Sequence, residues 1–275
     1  MKDDSLRLIS WNIGGRVKAN RKQTQAIKSR APDVVALQEV RLNALKQFQR
    51  LLPELDLSHI VESAHLADQH DRVYGELIAS RWPVQHIPGI SARTTFPERA
   101  LSANIDSPWG DIEIHTVHVV PGSSCGWKKI EMFEEIYCRL SHSSEIPRIL
   151  CGDFNSPQFE TPDGRVVTWG QRAGQDGEIL IKDGRERWDA GERSVLEWLA
   201  DYDLSDVFRR LNGHNVEAFS WSSKYQGKVV NRRRFDHVFA SDDLNPVECR
   251  YLEQVAKLGL SDHTPIEATF RPRAM

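Results

Sequence analysis

The chain has 275 residues, 40% hydrophobic and 27% charged, the balance of a soluble globular protein with enough apolar material for one large core. Its formal net charge of -3 excludes a global pull toward a polyanion, so any nucleic-acid contact must come from a local basic patch or a bound cation. The four cysteines, at 125, 138, 151 and 249, form no CxxC pair, which excludes a zinc ribbon and a dense disulfide framework.

Hydrophobic periodicity and turn residues predict alternating strands and helices. A strand is expected over 6–13, a polar helix over 21–30, a strand over 33–38 opening after Pro32, and a helix over 43–52. Further strands are expected over 75–80, 100–105 and 111–120, with Pro83, Pro88, Pro97 and Pro108 marking turns. In the last of these, Ile112, Ile114, Thr116 and His118 alternate with Glu113, His115 and Val117, the two-residue period of a strand. A helix over 128–140 carries Ile130, Phe133, Ile136, Tyr137 and Leu140 at helical spacing, a core-packing stripe. There follow a strand over 148–151, a helix over 194–202 and strands over 218–221, 234–240 and 266–270. The polar stretch 158–191 is too long for an ordinary connector and reads as a functional excursion rather than a linker. This order suggests a layered α/β sandwich in a single domain spanning 1–275, with its core over about 6–270. Residues 1–5 lack an apolar signal core and no run approaches the roughly 18 apolar residues of a membrane span, so a cytoplasmic protein without a membrane span is expected.

Five polar clusters sit at or just after the apolar runs: Ser10-Trp11-Asn12, Leu37-Gln38-Glu39, Gly152-Asp153-Phe154-Asn155, Phe235-Asp236-His237 and Ser261-Asp262-His263. Strand ends deliver such side chains to the rim of a sheet. Their carboxylates, carboxamides and imidazole are the inventory of divalent-metal phosphoester hydrolysis. Hard oxygen ligands select Mg²⁺ or Mn²⁺, which makes Glu39 and Asp262 the metal-ligand candidates; the plainer alternative is carboxylates that close strands. Asp153 and Asn155, two apart in an extended segment, would point the same way, one to activate water and one to bind phosphate, with Asn12 in support. The same residues, with Pro157 following, also read as an Asx turn. His237 faces away from Asp236 and reads as structural, while His59, His65, His70, His86 and His214 read as surface or loop polarity.

In their order, from residue 6 to residue 270, these clusters resemble the motif set of the endonuclease/exonuclease/phosphatase superfamily. The resemblance implies a four-layered α/β sandwich, two packed mixed β-sheets flanked by helices, and phosphoester hydrolysis with Mg²⁺ or Mn²⁺. It implies Asp236 and His263 as a carboxylate and imidazole pair, Asp153 as the residue that positions water, and Asn12 and Asn155 as supports. His118-Val119-Val120-Pro121 resembles the second histidine of the deoxyribonuclease I and sphingomyelinase branches, where it assists leaving-group protonation. The exonuclease III and abasic-site branch carries a tyrosine near here and an asparagine after the proline, where this chain has Val119 and Gly122.

The stretch 192–209, and Phe219-Ser220-Trp221-Ser222 through Tyr225, Arg232, Arg233 and Arg234 to Asp236, is by contrast similar to the exonuclease III branch, where it approaches DNA. Trp221 and Tyr225 beside three arginines suit stacking plus phosphate contact, or else a packed indole and a solvated arginine edge. Arg99, Lys128 and Lys129 are further phosphate candidates. The implied substrate is DNA, cut endo- or exonucleolytically. A phospholipid headgroup, inositol phosphate or other small phosphoester is the alternative, and a non-catalytic binding scaffold the third; no protein partner is implied.

Overall fold

A computed structural model of the chain describes residues 5–67, 74–92, 94–174, 176–226 and 228–272. The first half runs β1 (Leu6–Asn12), α1 (Asn20–Lys28), β2 (Val34–Arg41), α2 (Leu42–Leu51), β3 (His59–Glu62), β4 (Tyr74–Ser80), β5 (Val84–His86), β6 (Ala100–Ser107) and β7 (Gly110–His118). It continues with the one-turn α3 (Gly122–Cys125), α4 (Lys128–Leu140) and β8 (Arg148–Asp153). The second half runs β9 (Phe159–Glu160), β10 (Val166–Val167), β11 (Gln171–Ala173), β12 (Ile179–Ile181), α5 (Glu186–Leu196), β13 (Ser205–Asp206) and α6 (Val207–Asn212). The last elements are β14 (Trp221–Tyr225), β15 (Lys228–Arg233), β16 (Asp236–Ala240), β17 (Pro246–Tyr251), α7 (Glu253–Ala256) and β18 (Ile266–Phe270).

Two six-stranded mixed sheets result, in the orders β17-β18-β1-β2-β4-β3 and β13-β16-β8-β7-β6-β5. Each has one parallel pair at its centre, β1 with β2 and β7 with β8, and antiparallel neighbours on both sides. Parallel neighbours need a crossover, and α1 and α4 supply the helices. Three two-stranded hairpins, β9–β10, β11–β12 and β14–β15, stand apart from the sheets.

The facing sheets bury Leu6, Leu8, Ala36 and Ile78 against Ala103, Ile114, Ile149 and Val238. On the outer face of the first sheet Ile9, Trp11 and Val35 pack on Ile27 of α1 and Phe48 of α2. On the outer face of the second, Val117 and Leu150 pack on Ile130 and Phe133 of α4 and Val195 of α5. The molecule is therefore a four-layered α/β sandwich. Because both faces of each sheet are covered, His115, Thr116, Val117 and His118 are all buried and the simple in-and-out alternation expected along β7 is lost.

Several boundaries differ from the sequence reading. The helix expected over 194–202 begins at Glu186 and ends at Leu196, followed by a tighter turn over Trp198–Tyr202. The strand expected over 218–221 starts at Trp221, and the edge strands β3, β5 and β17, whose side chains are only partly buried, have no sequence counterpart. Among the described residues, no helix is long and apolar enough to cross a membrane.

Candidate active site

The carboxyl ends of β1, β2, β7 and β8 meet on one edge of the sandwich, the edge at which parallel strands commonly present ligand-binding groups. Asn12 closes β1 fully buried, with its Nδ2 donating to Glu39 Oε1 at 3.2 Å and to Asp153 Oδ2 at 2.9 Å. Its Oδ1 accepts from the Gly14 amide at 2.9 Å, which fixes the orientation of the carboxamide. Glu39 reaches this point because the register of β2 on β4 shifts between Leu37 and Val40, and Glu39 itself adopts φ 57. Such a bulge re-aims a side chain, at a backbone cost of about 1–3 kcal/mol.

Asp153 ends β8, and its Oδ1 accepts from the Asn155 amide at 2.9 Å. Asn155 adopts φ 49 and donates from Nδ2 to the Val119 carbonyl at 2.9 Å. The segment is thus an Asx turn rather than extended chain, and that turn is what places both residues on the cavity. The Asn155 carbonyl is clamped from behind by Lys129 Nζ at 2.9 Å and Trp169 Nε1 at 3.1 Å. Lys129 spends its remaining donors on Ser156 Oγ at 2.7 Å and Glu192 Oε1 at 2.9 Å, so it meets neither phosphate nor solvent.

Two histidines flank Asp153. His263 Nδ1 lies 2.7 Å from Asp236 Oδ2, and its Nε2 lies 3.5 Å from Asp153 Oδ2. Burial opposes charge on His263, but the Asp236 and Asp153 carboxylates outweigh it and raise the pKa to about 10. Nδ1–H therefore donates to Asp236. Burial likewise pushes Asp153 up to about 7, against the pull of His263. His118 Nε2 sits 3.6 Å from Glu39 Oε1 and 3.8 Å from Asp153 Oδ2. Arg99 Nη1 contacts His118 Nδ1 at 2.8 Å, and since arginine only donates, Nδ1 is the acceptor and the ring proton is on Nε2. Burial, with the charges of Arg99 and His263, holds His118 well below the usual histidine range.

These groups floor a cavity of about 990 Å³, with Glu39 and Asp262 both on its lining. Trp221 Nε1 donates to Asp262 Oδ2 at 3.3 Å. The tightest grouping of possible ligands among the described residues is Asp153, Asp236 and His263, but a proton already joins the last two. Glu39 and Asp262, expected as metal ligands, lie on the same cavity lining but outside that grouping.

The remaining expected contacts divide. Arg99, Trp221 and Arg233 line the cavity, with Trp221 stacked on Phe235 at 5.3 Å and Arg233 over the Trp169 ring at 5.9 Å. Arg232 lies over Phe219 at 5.6 Å on a separate groove, and Tyr225, 67% exposed, stands on the β14–β15 hairpin outside the cavity. Arg234, expected at phosphate, is buried. It donates to Glu160 at 2.7 and 2.6 Å and to Asp206 at 2.8 Å, so internal carboxylates consume its charge. Lys128 Nζ rests over Phe96 at 5.5 Å. His237 is structural, within hydrogen-bond distance of Asp206 Oδ2 and the Ser156 carbonyl, and His70 lies outside the described residues. The 158–191 excursion contributes cavity residues that no motif marked, Trp169, Lys182, Arg185 and Trp188. Its unusual length was the only signal.

The model of the Endonuclease/Exonuclease/phosphatase family matches residues 9–263. The exodeoxyribonuclease III of Haemophilus influenzae is 26% identical over 291 residues, covering 97% of this chain and 100% of the relative. An AP endonuclease from Archaeoglobus fulgidus superposes with a TM-score of 0.69 at 19% identity, over 96% of this chain and 99% of that one. TDP2 of D. rerio, solved with a single strand DNA product, gives 0.68 at 18% identity over 98% and 99%. An endonuclease/exonuclease/phosphatase from Beutenbergia cavernae gives 0.62 at 20% identity over 98% and 72%. The motif order, the two-sheet sandwich and a match over residues 9–263 agree: the chain belongs to the Endonuclease/Exonuclease/phosphatase family.

Proposed function

We propose that the protein is a Mg²⁺- or Mn²⁺-dependent phosphodiesterase that acts on DNA. The observation that carries this reading is the convergence of Asp153, His263 and His118 on one cavity floor, beside Glu39 and Asp262. With its pKa pushed to about 7, Asp153 takes the proton of an attacking water near neutrality. Asn12 keeps the accepting oxygen aimed. His263, cationic and braced by Asp236, presents Nε2–H to a phosphoryl oxygen or to the leaving oxygen. His118 presents a neutral Nε2–H, which binds developing charge, while Arg99 holds its tautomer. Glu39 and Asp262 would hold the divalent ion, which when bound neutralises charge on the phosphoryl group. Asn155, anchored by one Nδ2–H to the Val119 carbonyl, shapes the turn that carries Asp153 and keeps its second N–H for the cavity.

The DNA substrate draws support from the exodeoxyribonuclease III relative, from TDP2 solved with a DNA product, and from the cations Arg99, Arg185 and Arg233 on a cavity in a chain of net charge -3. The test is hydrolysis of bis(p-nitrophenyl) phosphate and of DNA with and without Mg²⁺ or Mn²⁺, for wild type, Asp153→Ala and Glu39→Ala. Loss of the general base should lower the rate by about 10²–10⁴-fold. Equal rates in all three proteins would sink the reading, and preferential turnover of an inositol phosphate or phospholipid would replace DNA as substrate.

A further inference from the structure

The 158–191 excursion walls one side of the cavity, and its charges are distributed unevenly. On the helix beyond the cavity, Arg187 is paired with Glu134 at 2.7 Å and Arg193 with Asp189 at 3.0 Å and Glu197 at 2.8 Å, while Arg165 and Arg172, outside the cavity lining, are exposed and free of ion pairs among the described residues. On the cavity itself, Lys182 and Arg185 have no carboxylate within ion-pair distance among the described residues. Both are nevertheless held in place. Lys182 Nζ donates to the Trp169 carbonyl at 2.8 Å, leaving two of its three donors unused. The Arg185 guanidinium lies over Trp188 at 4.6 Å and Trp127 at 5.1 Å, stacking that orients it without cancelling its charge. Trp169, half-buried on the same wall, is pinned by its Nε1 to the Asn155 carbonyl at 3.1 Å, so this ring stands beside the catalytic turn.

A wall of pre-positioned, unneutralised cations with a fixed aromatic ring is the pattern that binds a nucleic-acid strand by phosphate contact and base stacking. The depth of the site favours one strand over two. Tyr74, α3, this wall and the β14–β15 hairpin line a half-open cavity of about 990 Å³, the upper end of a small-molecule site. Asp153 and His263 lie nearly buried at its floor, so the scissile phosphate must descend between these walls.

We infer that Lys182, Arg185 and Trp169, whose ring also carries Arg233 at 5.9 Å, form a single-stranded DNA subsite, in which the two cations take phosphates next to the scissile one and the indole lies against the strand. This rests on the phosphodiesterase reading for its register, but its test is a binding measurement. Asp153→Asn protein, which keeps DNA intact, is titrated with a short fluorescein-labelled oligothymidylate and with a blunt duplex, by anisotropy across a salt series. The single strand should bind more tightly than the duplex. Adding Lys182→Gln and Arg185→Gln together should weaken binding and flatten the slope of log K against log[salt] by about 1.4, two contacts at about 0.7 each. Arg185→Lys, which keeps the charge, should retain its share of the slope and shows that the fold tolerates a change there. An unchanged slope and affinity in the double variant, or tighter binding of the duplex, overturns the subsite. Failure of wild type to hydrolyse bis(p-nitrophenyl) phosphate with either metal overturns the hydrolase reading instead and leaves the binding result to stand.

Discussion

His118 and His263 lie at similar depth on either side of Asp153, yet the residues behind them give them opposite charge. Asp236 behind His263 raises its pKa to about 10, while burial and the guanidinium of Arg99 behind His118 keep that ring neutral. The site therefore offers one cationic and one neutral donor. The sign of the pH dependence follows. In the proposed mechanism Asp153 acts ionised, so activity should rise as pH increases through about 7, and His263 acts protonated, so activity should fall as pH passes about 10. The two limbs belong to the interacting pair rather than to either residue alone. Asp236→Asn removes the main source of the raised value, so burial dominates and the basic limb should move down toward the ordinary histidine range, with a loss in kcat of about 10²–10⁴-fold. A profile of kcat/KM against pH checks this, and a basic limb that stays in place would show that Asp236 does not set the charge of His263. Asp153, Asp236 and His263 were legible in sequence because short motifs carry them, the first two at strand ends and His263 in the loop before β18. The charge state of His118 was not, since it depends on Arg99 reaching across from the start of β6.

At the scale of elements, the site depends on how closely β7 and β8 run. Gly152 adopts φ +134 one residue before Asp153, and a Cβ there would lie 2.0 Å from the Val117 carbonyl oxygen of the neighbouring strand. Alanine faces both a backbone conformation that L side chains rarely adopt and a rigid neighbour. Gly152→Ala should cost about 2–5 kcal/mol in urea unfolding, with loss of activity as Asp153 moves. A cost below about 1 kcal/mol would mean that the parallel pair yields easily. The helix over Lys128–Leu140 was legible because four of its apolar residues, Ile130, Phe133, Ile136 and Leu140, really are buried on one face. The helix over Glu186–Leu196 was not, because Gly191 interrupts its pattern. That glycine is a packing device, since a Cβ there would lie 2.6 Å from Ile130 Cγ2 where the two helices touch. Short exposed edge strands such as β5 carry too little apolar signal to read at all.

At the scale of the molecule, both sheets share one pairing pattern, a central parallel pair with two antiparallel neighbours on each side. Stacking the two brings four carboxyl ends to one edge, which is why motifs far apart in sequence meet. The layering was legible in sequence, but the fate of consecutive arginines was not. Arg232 turns outward over Phe219, Arg233 faces the cavity and Arg234 turns inward. Arg234 joins Arg209, Glu160 and Asp206 in a buried ion cluster that ties the β9–β10 hairpin and α6 to the approach of β16. Removing one partner of such a cluster leaves buried charge uncompensated, so Arg234→Met should lose about 3–5 kcal/mol. The pH dependence separates this from a packing defect. Although burial opposes it, Arg234 and Arg209 hold Glu160 down at about 2, and Arg234 with His237 holds Asp206 lower still. Folded values below the unfolded ones mean that the cluster's contribution is complete above the ordinary carboxylate range and is lost as pH falls toward about 2. In Arg234→Met the same carboxylates are buried without their main partner and prefer to be protonated, so acid relieves the variant while it weakens the wild type. The stability gap measured by urea unfolding should therefore narrow as pH falls into and below the ordinary carboxylate range, whereas a gap that stays constant would assign the loss to the packing of the guanidinium over Phe208.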